Sequence, residues 1–463
     1  MARTVFDKLW DLHRVCDAGD GADLLAIDRL LLHERTGGVA LKSLQEAGYA
    51  VRDPSRVYAI MDHIVSFRSG RSRNEARSPG GEAFISETRQ MANAAGIHLI
   101  DSDSPSQGIV HVTAPEQGIV MPGMSVLCPD SHTCSLGAFG AMAWGIGSSE
   151  AEHVMATGVL RAKKPKQMRV RIDGVLPDGS SAKDIALDLI AKYGTAGGKR
   201  CAIEFCGAAV EALTIEGRLT LCNMAVEFAA FSAVIAPDDQ VISYAQSSLD
   251  PSANVDAAVA HWRTLRSDAD AAFDYEIEIN ASNIHPQISW GTSPEESCSL
   301  KDAIPADASA RALDYMGLKA GASLSGLEVQ GAFIGSCTNG RLSDLQAAAT
   351  VSDGRTISPG ARAGCVPGSK LAKREAEARG LDKIFKSAGF EWGEPGCAMC
   401  FYAGGETFAP GARVVSSTNR NFEGRQGPGV RTHITSPVVV AASAVAGKIC
   451  TPANLPVLEM EAN

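Results

Sequence analysis

Three cysteines carry the most distinctive chemistry in this sequence. Cys337 stands alone in Gly335-Ser336-Cys337-Thr338-Asn339, and Cys397 and Cys400 form a C-x-x-C pair in Gly396-Cys397-Ala398-Met399-Cys400. A closed structural zinc site takes four protein ligands, so three thiolates leave such a centre one short. A redox C-x-x-C would not need Cys337. Three thiolates around a four-iron cube leave one iron with an open position for substrate.

Other polar residues stand where acid–base chemistry is common. Asp62-His63 ends the expected buried strand 57–61, and Asp130-Ser131-His132-Thr133 ends a second expected strand at 125–128. A carboxylate beside an imidazole at a strand's C-terminal end can move a proton. The plainer alternative for Asp62-His63 is a hydrogen-bonded loop histidine. Residues 416–427 (Ser-Ser-Thr-Asn-Arg-Asn-Phe-Glu-Gly-Arg-Gln-Gly) are dense in amides and arginines. Such a loop suits planar recognition of carboxylates. Asn223 and Glu227, spaced i,i+4, share one helix face, and Glu227 lacks an obvious local partner in sequence.

The bulk composition bounds the function. The chain has 463 residues, 45% hydrophobic and 21% charged, enough for roughly two to four domains. Its net charge of −10 argues against nucleic acid as a main partner and leaves room for a small anionic substrate bound by local arginines. Twelve cysteines are too few for a disulfide scaffold. Residues 1–7 lack a signal-peptide apolar core. The longest apolar run, 438–446, falls well short of the ~20 residues of a membrane span. A cytoplasmic protein with reduced thiols is expected, where grouped cysteines mean metal or catalysis more often than disulfides.

The elements that must position these residues follow from periodicity. Residues 5–13 have helical spacing, and 24–28 with 30–34 read as a short buried strand entering a polar loop. Residues 68–77 read as a solvated basic loop. Residues 108–112 read as a short strand carrying His111. The glycine-rich run 137–147 is neither a P-loop nor a dinucleotide fingerprint, and close backbone packing is its expected role. A linker at 163–166 precedes a strand at 168–172 and an amphipathic helix at 182–192. From 327 the pattern is α/β, with an apolar strand at 329–334, the Cys337 loop and a helix from 342. A thiolate at that turn is expected to gain from the helix N-terminal field. Cys201, Cys206 and Cys222 read as core residues.

Together these motifs resemble the large subunits of the 3-isopropylmalate dehydratase family, in the aconitase superfamily. The resemblance runs end to end. It is carried by Met61-Asp62-His63, Gly108-Ile109-Val110-His111, Asp130-Ser131-His132-Thr133, Glu216-Gly217-Arg218, Cys222-Asn223-Met224, Ser289-Trp290-Gly291-Thr292, the two cysteine motifs and 418–427. It implies an aconitase-like α/β fold: three α/β domains, 1–165, 166–283 and 284–463, around an iron–sulfur cluster, without the fourth (swivel) domain. It implies a [4Fe-4S] cluster with one labile iron, held by Cys337, Cys397 and Cys400. Asp62 and His63 would assist departure of the substrate hydroxyl, and His111, Asp130 and His132 would line the site and hold the water. Glu227 and Asn223 would sit beside the cluster and the departing oxygen. His33 and Ser131 would contact substrate, while Asn419, Arg420 and Arg425 would hold cysteine sulfurs and substrate carboxylates. The general base and the fourth domain would come from a separate small subunit in a heterodimer, leaving this chain alone nearly inactive.

The implied reaction is dehydration and rehydration of a malate-type diacid, with 2-isopropylmalate to 3-isopropylmalate in leucine biosynthesis as the leading case. The sequence departs from the usual family pattern at Ile64, at Cys134-Ser135-Leu136, at Gly340 and at Phe401-Tyr402. These positions flank the substrate cavity of the family, so citraconate, maleate or another substituted malate is the alternative substrate. An RNA-binding, cluster-free relative is a more distant reading, which the acidic charge opposes. A zinc or redox protein using only Cys397 and Cys400 leaves the Asp/His pairs unexplained.

Overall fold

A computed structural model describes residues 2–249 and 254–457. They form two compact units. The first comprises the chain up to Val65 with Ser72–Val175 and Thr195–Ser282; the second comprises Ser66–Arg71, Leu176–Gly194 and the chain from Asn283 on.

The first unit holds two parallel sheets. The larger has the spatial order His98–Ile100, Val57–Ile60, Arg29–His33, Ser125–Cys128, Met142–Gly145. Leu30, Leu31 and Leu32 are fully buried, the continuous apolar run expected of a parallel strand covered on both faces. The chain lays strands to one side of Arg29–His33 and then returns to add the others on its far side. The order therefore reverses between Arg29–His33 and Ser125–Cys128. In open α/β sheets such a switch point opens a crevice at the strands' C-terminal ends, where ligands bind. The smaller sheet orders Ser232–Val234, Ala202–Cys206, Gln167–Asp173, Tyr275–Asn280, also parallel.

The second unit repeats the larger sheet's order. Glu391–Trp392, Arg362–Cys365, Gly331–Ile334, Arg413–Ser416 and Arg431–Ile434 run parallel. The switch point here lies between Gly331–Ile334 and Arg413–Ser416. The helices Leu342–Ser352 and Pro437–Ala446 pack against this sheet, and Val439, Val440 and Ala441 are fully buried. The apolar run 438–446 is therefore a core helix. Among the described residues no helix is long and apolar enough to cross a membrane.

Several local expectations need correction. His111 sits on a helix, Val110–Glu116, not a strand. The Asp62 carboxylate accepts the Val110 N–H at 2.9 Å, and this tertiary cap outweighs the strand preference of Ile109, Val110 and Val112. The run 24–34 is two strands in different sheets, because Asp23–Ala26 pairs antiparallel with Arg14–Asp17 and Val159–Ala162. The basic segment 68–77 is not simply solvated. Arg73 bonds Asp101 at 2.6 Å within the first unit, and Arg71 donates to the Pro395 carbonyl at 2.8 Å within the second.

Candidate active site and cysteine centre

In the first unit the polar residues gather at the switch point. His33 ends its strand, Asp62 follows Val57–Ile60, and Asp130 follows Ser125–Cys128. His63 lies between two carboxylates, with Nδ1 2.5 Å from Asp62 Oδ1 and Nε2 3.1 Å from Asp130 Oδ2. A ring held this way can pass a proton to either side. His33 stacks on His63 at 3.9 Å between ring centroids, and its Nε2 lies 3.1 Å from the Pro129 carbonyl. Asp130 is the hub. Its Oδ1 accepts the His132 N–H at 2.7 Å and stands 3.3 Å from His111 Nε2. His132 Nε2 in turn meets Glu227 Oε1 at 2.9 Å, which supplies the partner Glu227 lacked in sequence. The Asn223 amide donates to Ser135 Oγ at 2.8 Å. Ser131 is exposed.

Burial sets the electrostatics. It works to raise Asp130, but hydrogen bonds from His111, His132 and His63 prevail and hold it well below the usual carboxylate range. Asp62 is likewise pushed up by burial and brought down further by the charge and hydrogen bond of His63. Burial, aided by the His63 charge, lowers His33 to about 4, so its ring is neutral near pH 7. Glu34 is raised by burial and by Asp62.

Sequence reasoning missed Glu34. It is fully buried, and its carboxylate accepts the backbone N–H groups of Asp62 (2.9 Å), Ile64 and Val65 (3.4 Å). Its only sequence signal is a second polar residue at the end of an apolar run. The ligand atoms of His33, Glu34, Asp62 and His63 all lie within 4.8 Å of one another, close enough to hold a cation. However, Glu34, Asp62 and His63 are already engaged by backbone N–H groups and by one another, so the group reads as a proton network.

The cysteines belong to the second unit. Cys337 follows Gly331–Ile334, and Asn419 follows Arg413–Ser416, so both flank that unit's switch point. Cys397 and Cys400 are presented by a tight turn in which Cys400 N–H donates to the Cys397 carbonyl at 2.9 Å. All three are buried, and no disulfide joins any of the described cysteines. Ser336 and Ala398, neighbours of the thiols, hold positive φ of 82° and 46°. Such backbone costs about 1–3 kcal/mol per residue and clusters where ligands are clamped.

The surrounding groups suit a sulfur-bound centre. The Asn419 amide donates to Cys337 Sγ at 3.5 Å and its carbonyl oxygen lies 3.7 Å from Cys400 Sγ. Arg425 Nη2 donates to Cys400 Sγ at 3.5 Å, and its guanidinium stacks between Phe401 and Phe422 at 5.6 and 5.3 Å. Ser336 Oγ lies 3.3 Å from Cys400 Sγ. Arg420 is half-buried. Three buried, unbridged thiols with an amide and a guanidinium donating to their sulfurs fit an iron–sulfur cluster as a donor set. The helix after the Cys337 loop starts at Leu342, and Asp344 accepts the Arg341 N–H at its cap.

The aconitase family (aconitate hydratase) matches residues 7–447. The chain belongs to the aconitase family. This aconitase-family chain is 49% identical to the 3-isopropylmalate dehydratase large subunit 1 of Bradyrhizobium diazoefficiens, with 96% of each chain covered. A solved structure, that of Thermococcus kodakaraensis aconitase X in its holo-form, aligns with a TM-score of 0.46 and 11% identity over 90% of this chain and 89% of that one. Sequence reasoning also missed a fully buried lysine, Lys183, in the first turn of the helix Ala182–Tyr193. Its signal is a lysine inside an otherwise apolar helix face.

Proposed function

We propose that this chain is the large subunit of a [4Fe-4S]-dependent hydro-lyase that interconverts 2-isopropylmalate and 3-isopropylmalate in leucine biosynthesis. The observation that carries the reading is the set of three buried, unbridged thiols with Asn419 and Arg425 donating to their sulfurs. The 49% identity to a 3-isopropylmalate dehydratase large subunit supports the substrate.

Cys337, Cys397 and Cys400 would hold the cluster, which when bound supplies an electrophilic iron with an open position for the substrate hydroxyl. The chain's own residues do the rest. His63, relayed by Asp62 and Asp130, delivers a proton to the departing hydroxyl. His111 and His132, ordered by Asp130 and Glu227, hold the released water for re-addition. Arg420 and Arg425 bind substrate carboxylates, His33 and Ser131 contact the diacid, and Asn223 orders the Ser135 turn beside Glu227. The carbon-bound proton needs a base, which we assign to a small-subunit partner carrying the fourth domain. A cytoplasmic location is part of the same reading.

The test is anaerobic. The chain is reconstituted with iron and sulfide, mixed with the co-encoded small subunit, and followed by alkene absorbance with 3-isopropylmalate, citramalate and malate. Fast turnover of 3-isopropylmalate that requires both subunits is the expected result. Preference for a smaller diacid moves the substrate to the citraconate or maleate type and keeps the chemistry. No turnover of any diacid by a spectroscopically intact cluster would falsify the hydro-lyase reading.

A further inference from the structure

Lys183 has no role in the chemistry above, yet it is fully buried. Lysine is almost never fully buried unless paired with a counter-charge. Here, among the described residues, no carboxylate lies within 4.0 Å of the ammonium; its three N–H donors go to neutral oxygens. They reach the Ser417 carbonyl at 2.8 Å, the Thr418 carbonyl at 2.6 Å and Asn339 Oδ1 at 3.2 Å. This uses the whole donor capacity of an ammonium group.

The three acceptors come from the two loops of the cysteine centre. Ser417 and Thr418 immediately precede Asn419, whose amide touches Cys337 and Cys400. Asn339 lies two residues beyond Cys337, and its own amide is fixed by Asp344 Oδ1 at 2.9 Å. One buried cation thus joins the loop that carries the lone cysteine to the segment that carries the amide between the sulfurs.

We propose that Lys183 is a positioning residue for the cysteine centre, tying the Cys337 loop to the 417–419 segment and setting Asn419 against the sulfurs. The inference rests on the cluster reading above and adds a residue outside the cysteine and arginine motifs. Burial lowers the Lys183 ammonium to about 7, while Asp344 and the cysteine sulfurs nearby act in the opposite sense.

The experiment uses full-length K183M and K183Q with the wild-type chain. Amide hydrogen exchange of the apoprotein is read over 336–341 and 417–421, with the helix Pro437–Ala446 as internal reference. Iron content after anaerobic reconstitution and the rate of iron loss to a chelator are read in parallel. The expected result for K183M is at least tenfold faster exchange in both segments, an unchanged reference helix, and at least tenfold faster iron loss. K183Q, which keeps a donor amide at shorter reach, is expected between the two. Exchange and iron retention equal to wild type overturn the inference. If K183M does not fold, K183Q carries the same readouts; failure of both to fold makes Lys183 a residue of the core alone and also overturns it. A wild-type chain that takes up no iron sinks the cluster reading separately, and exchange of the two segments then decides the tie by itself.

Discussion

Asn419 shows how much one side chain can settle. Its amide spans Cys337 and Cys400, so its donor faces one sulfur and its acceptor the other. Asn419→Asp keeps the shape and replaces the amide with a carboxylate facing thiolates. Like charges at this range in a buried site repel by several kcal/mol. The expected outcome is iron content after reconstitution below about a tenth of wild type, with the fold intact by circular dichroism. Normal iron loading in that variant would remove Asn419 from the centre. The cysteines themselves were legible in sequence, since lone and paired thiols in a chain without disulfides leave few chemistries open. The partner of Glu227 was not legible. His132 precedes it by many residues, and only the packing of Ile215–Met224 against Ser131–Phe139 brings them within 2.9 Å.

At the scale of elements, the loops after the switch-point strands decide the site. Glu34 holds the 62–65 segment by three buried backbone N–H groups. Glu34→Ala leaves those donors unsatisfied at about 1–3 kcal/mol each before relaxation. We expect stability to fall by about 3 kcal/mol in urea denaturation, together with a lower kcat, because Asp62 and His63 lose their backbone frame. A variant with wild-type stability would mean that other acceptors take over. The glycine-rich run behaves as expected from sequence. A Cβ on Gly137 would lie 1.7 Å from the Ala233 carbonyl, and one on Gly145 would lie 2.6 Å from the Asp130 carbonyl. Gly137→Ala should therefore cost about 3 kcal/mol or more, since backbone cannot yield as a side chain can. A shift in thermal midpoint of under a degree would contradict this close approach. The strand expectation at 108–112 failed because the Asp62 cap is a long-range contact that no local window contains.

Across the whole molecule, each unit carries a buried histidine that acid should find. Burial and a neighbouring positive charge lower His33 to about 4 and His433 to about 3, from an unfolded value of 6.5. Between those values the unfolded chain binds protons that the folded chain does not. Stability contributed by the neutral rings is therefore complete above about pH 6.5 and is lost as pH falls toward 4 and 3. At about 1.4 kcal/mol per unit, each histidine accounts for a few kcal/mol. Urea midpoints at pH 7, 5.5 and 4.5 should fall steadily, and His433→Asn should flatten that slope. An unchanged slope would mean that other groups carry the acid sensitivity. We also propose the three domains 1–165, 166–283 and 284–463, each holding one of the three larger parallel sheets. Contacts group the chain differently, placing 176–194 with the C-terminal part. Calorimetry that resolves only one cooperative transition would speak against a three-domain division.

The sequence by itself determined the chemistry: which residue types are present, their motif spacing, and hence the family and the candidate residues. Motif residues are neighbours in the chain, and their types alone limit what they can do. The tertiary structure decided which of them meet. Glu34 under the Asp62 segment, His132 against Glu227, and Lys183 between two loops of the cysteine centre join residues far apart in sequence. Such contacts depend on how two sheets reverse their strand order and on which buried charges must find partners, and neither is written in any local stretch of the chain.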